Sequence, residues 1–147
     1  MTVRPAVASD LPAVREVDAA AFGAEAWSAT AWQREWEGVP AMRHLTVAVV
    51  DGRVVGFGVL ATVADVADLH RVAVAPGCRR RGLGIALVES LIAEARRRGC
   101  VRMLLEVEDS NEAAVALYAR LGFVEIARRD AYYGAGRPAL VLELGLD

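Results

Sequence analysis

The chain contains no lysine: all seventeen of its basic side chains are arginine. That excludes any mechanism that forms a Schiff base on a lysine amine. Cysteine is almost as scarce. Cys78 and Cys100 sit in unlike local sequence with no third or fourth partner, so neither a zinc site nor a disulfide framework is supported, and two free thiols and no metal are expected. No apolar run approaches membrane-spanning length without a charge. The first twenty residues are broken by Arg4, Asp10, Arg15, Glu16 and Asp18, which leaves no apolar core for a signal peptide. A cytoplasmic protein with no membrane partner is expected. A basic surplus is missing too: the net charge is −2 and the pI is near 5.7, which argues against direct nucleic-acid binding. No repeat or low-complexity linker divides the chain, and Asn111 is its only asparagine.

What is present fits one domain spanning residues 1–147, a length that buries roughly two thirds of the unfolded surface without a covalent or metal staple. Thr2 to Ala6 reads as a strand. Ser9 and Asp10 are placed to cap a helix that has Pro12 in its first turn and Leu11, Val14 and Val17 on one face. After Trp27 and Ser28 a second helix puts Trp32 and Trp36 on one face, four residues apart, for packing. Residues 44–50 and 53–63 are β-branched runs joined by Asp51-Gly52, a pair suited to the positive φ angles of a type I′ hairpin turn. Strands are expected again at 65–74, 101–107, 123–128 and 139–144, and helices at 82–98 and 111–121. Hairpins followed by alternating strands and helices indicate an α+β mixed sheet with helices on its faces.

The most informative stretch runs from Val72-Ala73-Val74 through Pro76-Gly77-Cys78 to Arg79-Arg80-Arg81-Gly82-Leu83-Gly84. It leads from a strand, through a basic loop, into a helix start. Such a start offers unpaired N–H donors and the positive end of the helix dipole, and glycines at 82 and 84 let a pyrophosphate approach the backbone. Two glycines in a first helical turn cost roughly 1–2 kcal/mol relative to alanine, which favours a need for backbone access. The plain alternative is a solvated basic turn. Neither G-x-x-x-x-G-K-[ST] nor G-x-G-x-x-G is present, so this is another kind of phosphate loop. The run Arg96-Arg97-Arg98 falls in the last helical turn, where cations complement the dipole, and is assigned no ligand.

The R-x-x-G-x-G of Arg79 to Gly84 after a strand ending Val72-Ala73-Val74 resembles the acetyl-CoA signature of the GNAT superfamily of N-acetyltransferases. Residues 104–123, LLEVEDSNEAAVALYARLGF, are similar to the second half of that fold, and most similar to its RimI-type branch, which acetylates the N-terminal alanine of a ribosomal protein. The early RPAVASDLPAV and Ala26-Trp27-Ser28 resemble the family's opening. The resemblance implies a mixed, mostly antiparallel sheet with a splayed strand pair. It also implies pairing of Val72, Ala73 and Val74 with pantetheine amides, a pyrophosphate held over Arg80 to Ile85 with Arg79 beside it, and Asn111 on the cofactor's arm. Asn111 also reads as an ordinary helix N-cap.

By the same resemblance Glu106 is the base and Tyr118 the acid of a direct transfer, with a backbone N–H near Val72 or Ala73 meeting the oxyanion. An N-terminal amine with a pKa of about 8 is roughly a tenth neutral at pH 7, so a carboxylate is a sufficient base. A lysine amine, near 10.4, suits it less well. Read without the resemblance, Glu106 is a strand carboxylate flanked by Met103, Leu104, Leu105 and Val107, which points to burial, and Tyr118 is a packing residue beside Val115 and Leu121. His70, in the strand bordering the gap, is an alternative base. Cys78 beside the arginines opens a covalent route that the resemblance does not imply. Trp27, Tyr132 and Tyr133 are candidate substrate contacts. The chain departs from the RimI-type pattern in its shortened loop after Tyr133 and in Arg137. The function expected from the resemblance is direct acetylation, from acetyl-CoA, of the N-terminal α-amine of an alanine on a small-subunit ribosomal protein. Acetylation of another peptide or a small amine, and a silent acyl-CoA-binding module, remain as alternatives.

Overall fold

The structure, a computed structural model, describes residues 1–79, 81–130 and 137–146. Seven strands and four helices follow in the order β1 (Thr2–Pro5), α1 (Leu11–Phe22), α2 (Ala29–Glu37), β2 (Arg43–Val50), β3 (Arg53–Val63), β4 (Val66–Val74), α3 (Leu83–Arg97), β5 (Arg102–Glu108), α4 (Glu112–Arg120), β6 (Val124–Arg129) and β7 (Ala139–Gly145). They form one sheet ordered β1-β2-β3-β4-β5-β7-β6. Every neighbouring pair is antiparallel except β4 with β5. The mixed, mostly antiparallel α+β architecture read from the sequence is therefore present. Asp51 and Gly52 turn the β2–β3 hairpin at φ 51° and 76°, the positive values that a type I′ turn requires.

Strand alternation decides which helix covers which face. In β3, Phe57 and Val59 pack with Val14, Val17 and Trp32 of α1 and α2, and Trp32 meets Phe57 edge-on at 5.1 Å between ring centroids. On the opposite face Leu60 joins Val88 and Leu91 of α3, Met103 and Leu105 of β5, and Tyr118 of α4. Gly56 and Gly58 lie under α3: a Cβ on Gly58 would stand 3.0 Å from Leu91 Cδ1. The missing side chains let the helix sit close to the strand.

Two local expectations change. The Asp10 side chain does not cap α1. Its carboxylate accepts from the Val7 amide at 2.8 Å and from the Arg4 guanidinium at 2.8 and 3.1 Å, because a two-pronged, charge-assisted bond outcompetes a single helix amide. The arginine run at the end of α3 does more than complement a dipole. Arg98 donates to the carbonyls of Pro40, Ala41 and Arg43 and to the Thr62 hydroxyl, and Arg97 and Arg98 both grip Glu94.

Candidate active site

β4 and β5 pair in parallel over only three positions, Val66 with Arg102, Ala67 with Met103 and Asp68 with Leu104. Beyond these, β4 follows β3 to Val74 and β5 follows β7 to Glu108. Each strand stays with its outer neighbour, so the two part. The β3–β4 register shifts at Val59/Leu60, where Arg71 faces Val59 and Leu69 faces Leu60. His70 is thus the extra residue of a bulge, which bends β4 and disturbs side-chain alternation. Among the described residues the facing edges beyond Asp68 and Leu104 have no ladder partner across the gap.

The opening forms a cleft of 1020 Å³. It gathers Val72, Ala73, Val74, Arg79, Gly82, Leu83, Gly84, Ile85 and Asn111, which the sequence had placed at the cofactor, together with Tyr118, expected as the acid. Arg81 is exposed and does not line it. Arg80, Tyr132 and Tyr133 lie outside the described residues. Gly82 is the N-cap of α3 at φ 76°, and the space where its Cβ would stand is open. The first amides of α3 have no intrahelical acceptor and face an anion-receptive mouth. Gly84 has a further use. A Cβ there would meet Leu117 Cδ1 at 3.0 Å, so this glycine makes room for α4 as well as lining the cleft. Arg79 donates to the Val74 carbonyl at 3.2 Å and ties the loop to the end of β4. Asn111 caps α4, accepting from the Ala114 amide at 3.2 Å, and lines the cleft as well.

Tyr118 is 8% exposed and lies edge-on to Phe123. Burial pushes its phenol up to about 12, so near neutrality it stays protonated and is a donor. Glu106 is not buried as its neighbours suggested. β5 alternates, turning Met103, Leu105 and Val107 into the α3–α4 core and Leu104, Glu106 and Glu108 to the other face. There the Glu106 carboxylate is 27% exposed and pairs with Arg129 at 3.1 Å. Glu106 and Tyr118 therefore lie on opposite faces of the sheet, and of the two Tyr118 lines the cleft.

The Glu106 face carries groups that the sequence reading passed over. Asp18 is fully buried, and its carboxylate accepts from the Trp27 amide at 2.8 Å, the Trp32 indole at 3.0 Å and the Arg71 guanidinium at 2.7 Å. Arg71 in turn lies over the rings of Phe22 and Trp27, at 3.9 and 4.7 Å from their centroids. Trp27 is thus a wall of this face, held by its backbone. The available signal was Asp18 itself, a carboxylate on the apolar stripe of Val14, Val17 and Ala21. His70 Nδ1 bonds Glu35 of α2 at 2.5 Å, and Glu35 also accepts from Arg43. Burial pushes the Glu35 carboxyl up, but the bonds from His70 and Arg43 outweigh that and hold it below the usual range. Arg137 bridges Glu108 and Glu25. Its bond holds the Glu108 carboxyl below the usual range, and Ser110 adds to the effect. Cys78 lines the cleft and Cys100 is buried, both as free thiols. No cluster of potential metal ligands occurs among the described residues.

A sheet opened at its one parallel pair, with ladder-free backbone along the opening and a helix N-terminus at its mouth, defines an acyltransferase built around an extended thioester donor. The chain belongs to the acetyltransferase (GNAT) family, whose model matches residues 11–123. It is an N-acetyltransferase. It is 40% identical over 126 residues to the [ribosomal protein bS18]-alanine N-acetyltransferase of Salmonella typhimurium, covering 85% of this chain and 82% of that one. It is 37% identical over 133 residues to the Escherichia coli enzyme of the same name, covering 90% and 86%. The crystal structure of the ribosomal-protein-S18-alanine N-acetyltransferase from Escherichia coli superposes with a TM-score of 0.90 at 32% identity, covering 99% of this chain and 94% of that one. That of yncA from Salmonella typhimurium with its cofactor acetyl-CoA gives 0.84 at 25% identity, covering 100% and 94%.

Proposed function

We propose that this N-acetyltransferase acts in the cytoplasm, as one domain over residues 1–147, on the N-terminal alanine of a ribosomal protein of the bS18 kind. Acetyl-CoA is the donor. The observation that carries the reading is the parting of β4 from β5 with Glu106 on one face of the gap and Tyr118 on the other. The relatives' substrate and the high identity across most of the chain support the choice of acceptor.

The cleft fits the donor in its chemistry. Its mouth offers the amides at the start of α3 with an open space above Gly82 for a diphosphate, and its floor offers the unpaired edge of Val72 to Val74 for amides. When bound, acetyl-CoA supplies an activated acetyl group and a thiolate leaving group. Arg79, Leu83, Ile85 and Asn111 hold the donor, while Val72, Ala73 and Val74 orient it and present N–H groups to developing negative charge. Because the donor occupies the α3–α4 side, the amine arrives from the face of Glu106 and Trp27. Glu106 takes the ammonium proton, directly or through water. Tyr118 gives the phenolic proton to the departing sulfur, for which its raised pKa keeps it loaded.

The test is transfer of label from acetyl-CoA to peptides beginning with Ala, Ser, Gly or Met, beside N-terminally blocked lysine peptides and polyamines. Label on the alanine peptide above the others is expected. Label confined to lysine peptides or polyamines would overturn the acceptor, and no label on any would overturn the enzyme.

A further inference from the structure

Two residues beyond the last parallel pair, β4 and β5 each place one titratable side chain on the acceptor face. Asp68 and Leu104 pair, so by alternation His70 and Glu106 come next on that face, one on each strand where the two begin to part. The bulge brings Arg71 onto the same face as His70, the two side chains reaching α1 and α2 respectively. The His70 ring is held by Nδ1 on Glu35, while its side chain remains 32% exposed. Such a bond fixes the ring through Nδ1 and leaves Nε2, on a partly exposed side chain, as the second ring nitrogen. Glu35 is itself only 14% exposed and anchored by Arg43, so it is a firm support. The other charged groups around His70 are Asp68 on its own strand, the Asp18–Arg71 pair toward α1, and Glu106 with Arg129 on β5 and β6.

We infer that His70, held by Glu35, is a second proton acceptor in series with Glu106, passing the ammonium proton of the acceptor from the gap to solvent. This rests on Glu106 being the base. The ammonium N–H bond breaks and its proton moves to the Glu106 carboxylate and on to His70 Nε2. The freed pair on nitrogen forms the amide bond as the carbon–sulfur bond breaks. Tyr118 protonates the sulfur and is restored by the second proton lost from the amine, and the imidazolium releases the first to water. One proton leaves per acetyl transferred, and the Glu35 carboxylate stabilises the imidazolium meanwhile. A histidine behind Glu106 lengthens its reach toward solvent without replacing it.

The experiment uses the whole chain, acetyl-CoA and an alanine-initiated peptide. His70→Gln is expected to lower kcat about tenfold at pH 7, with acetyl-CoA KM and Tm unchanged, and to approach the parent rate above about pH 8, where the amine is neutral unaided. Glu35→Gln, which loosens the hold on the ring, should lower kcat in the same direction as His70→Gln. Added imidazole should restore part of the rate of His70→Ala, which a packing role would not permit. Independently of turnover, the His70 ring resonance, assigned with His44→Gln, should shift at neutral pH in Glu106→Gln, as expected for charges facing across a narrow gap. A His70→Gln rate equal to the parent's at every pH, or an equal loss at every pH without imidazole rescue, overturns the relay, as does a His70 resonance indifferent to Glu106→Gln. Full activity of Glu106→Gln would instead sink the base assignment beneath it. If no peptide is acetylated, the resonance alone decides the juxtaposition.

Discussion

Replacing Asp18 by leucine removes the carboxylate on which α1, α2 and β4 converge and leaves its three donors in place. Two of them, the Trp27 amide and the Trp32 indole, share one oxygen, and the Arg71 guanidinium holds the other. The arginine is the large contribution, because a guanidinium only 16% exposed loses its counter-charge, and removing one partner of a buried pair costs about 3–5 kcal/mol. The aromatic rings over Arg71 and its bond to the Glu25 carbonyl soften this, so we expect about 3 kcal/mol, or roughly 10 °C in Tm for a chain of this length. Thermal melts of the parent, Asp18→Leu, Arg71→Met and the double variant form the assay. The double variant should be destabilised by less than the sum of the singles, since the stranded charge is gone. Peptide KM should rise in Asp18→Leu as the Trp27 wall loosens, with acetyl-CoA affinity nearly constant. A Tm within about 2 °C of the parent, or strict additivity in the cycle, would refute the account of Asp18 as the anchor of this face.

Tyr118→Phe should lower kcat about 100-fold or more by removing the proton donor, while acetyl-CoA affinity by calorimetry stays within about twofold. Gly82→Val forces a β-branched residue to φ 76° and should weaken acetyl-CoA binding at least tenfold, read in the same titration. Arg98→Met strands three carbonyls and a hydroxyl and should cost about 2–4 kcal/mol in urea unfolding without touching acetyl-CoA affinity. Hydrogen bonds from Arg97 and then Arg98 outweigh burial and hold the Glu94 carboxyl down to about 2. Its folded pKa is depressed, so its contribution is present above the unfolded value of 4.5 and is lost as pH falls toward about 2. Because Arg97 is 70% exposed, about 1–2 kcal/mol is expected, seen as a smaller acid loss of stability between pH 5 and 2.5 in Glu94→Gln than in the parent.

Much of this protein was legible from local chemistry. The period of apolar residues and local capping residues placed all four helices, and Asp51-Gly52 marked the hairpin. A strand leading into a glycine at a helix start specified the anion mouth, because backbone donors there depend on neighbouring residues alone. Contacts distant in sequence had to await the fold. That Glu106 is paired and half-exposed, rather than buried, depends on which face of β5 meets α4 and on Arg129 arriving from β6. That Gly84 serves Leu117 depends on α4 crossing α3. That Asp18 holds Trp27, Trp32 and Arg71, and that His70 bonds Glu35, depend on a bulge in β4 and on helices packed from elsewhere in the chain. Their energies come from burial and register across the sheet, and the sequence taken one segment at a time carries neither.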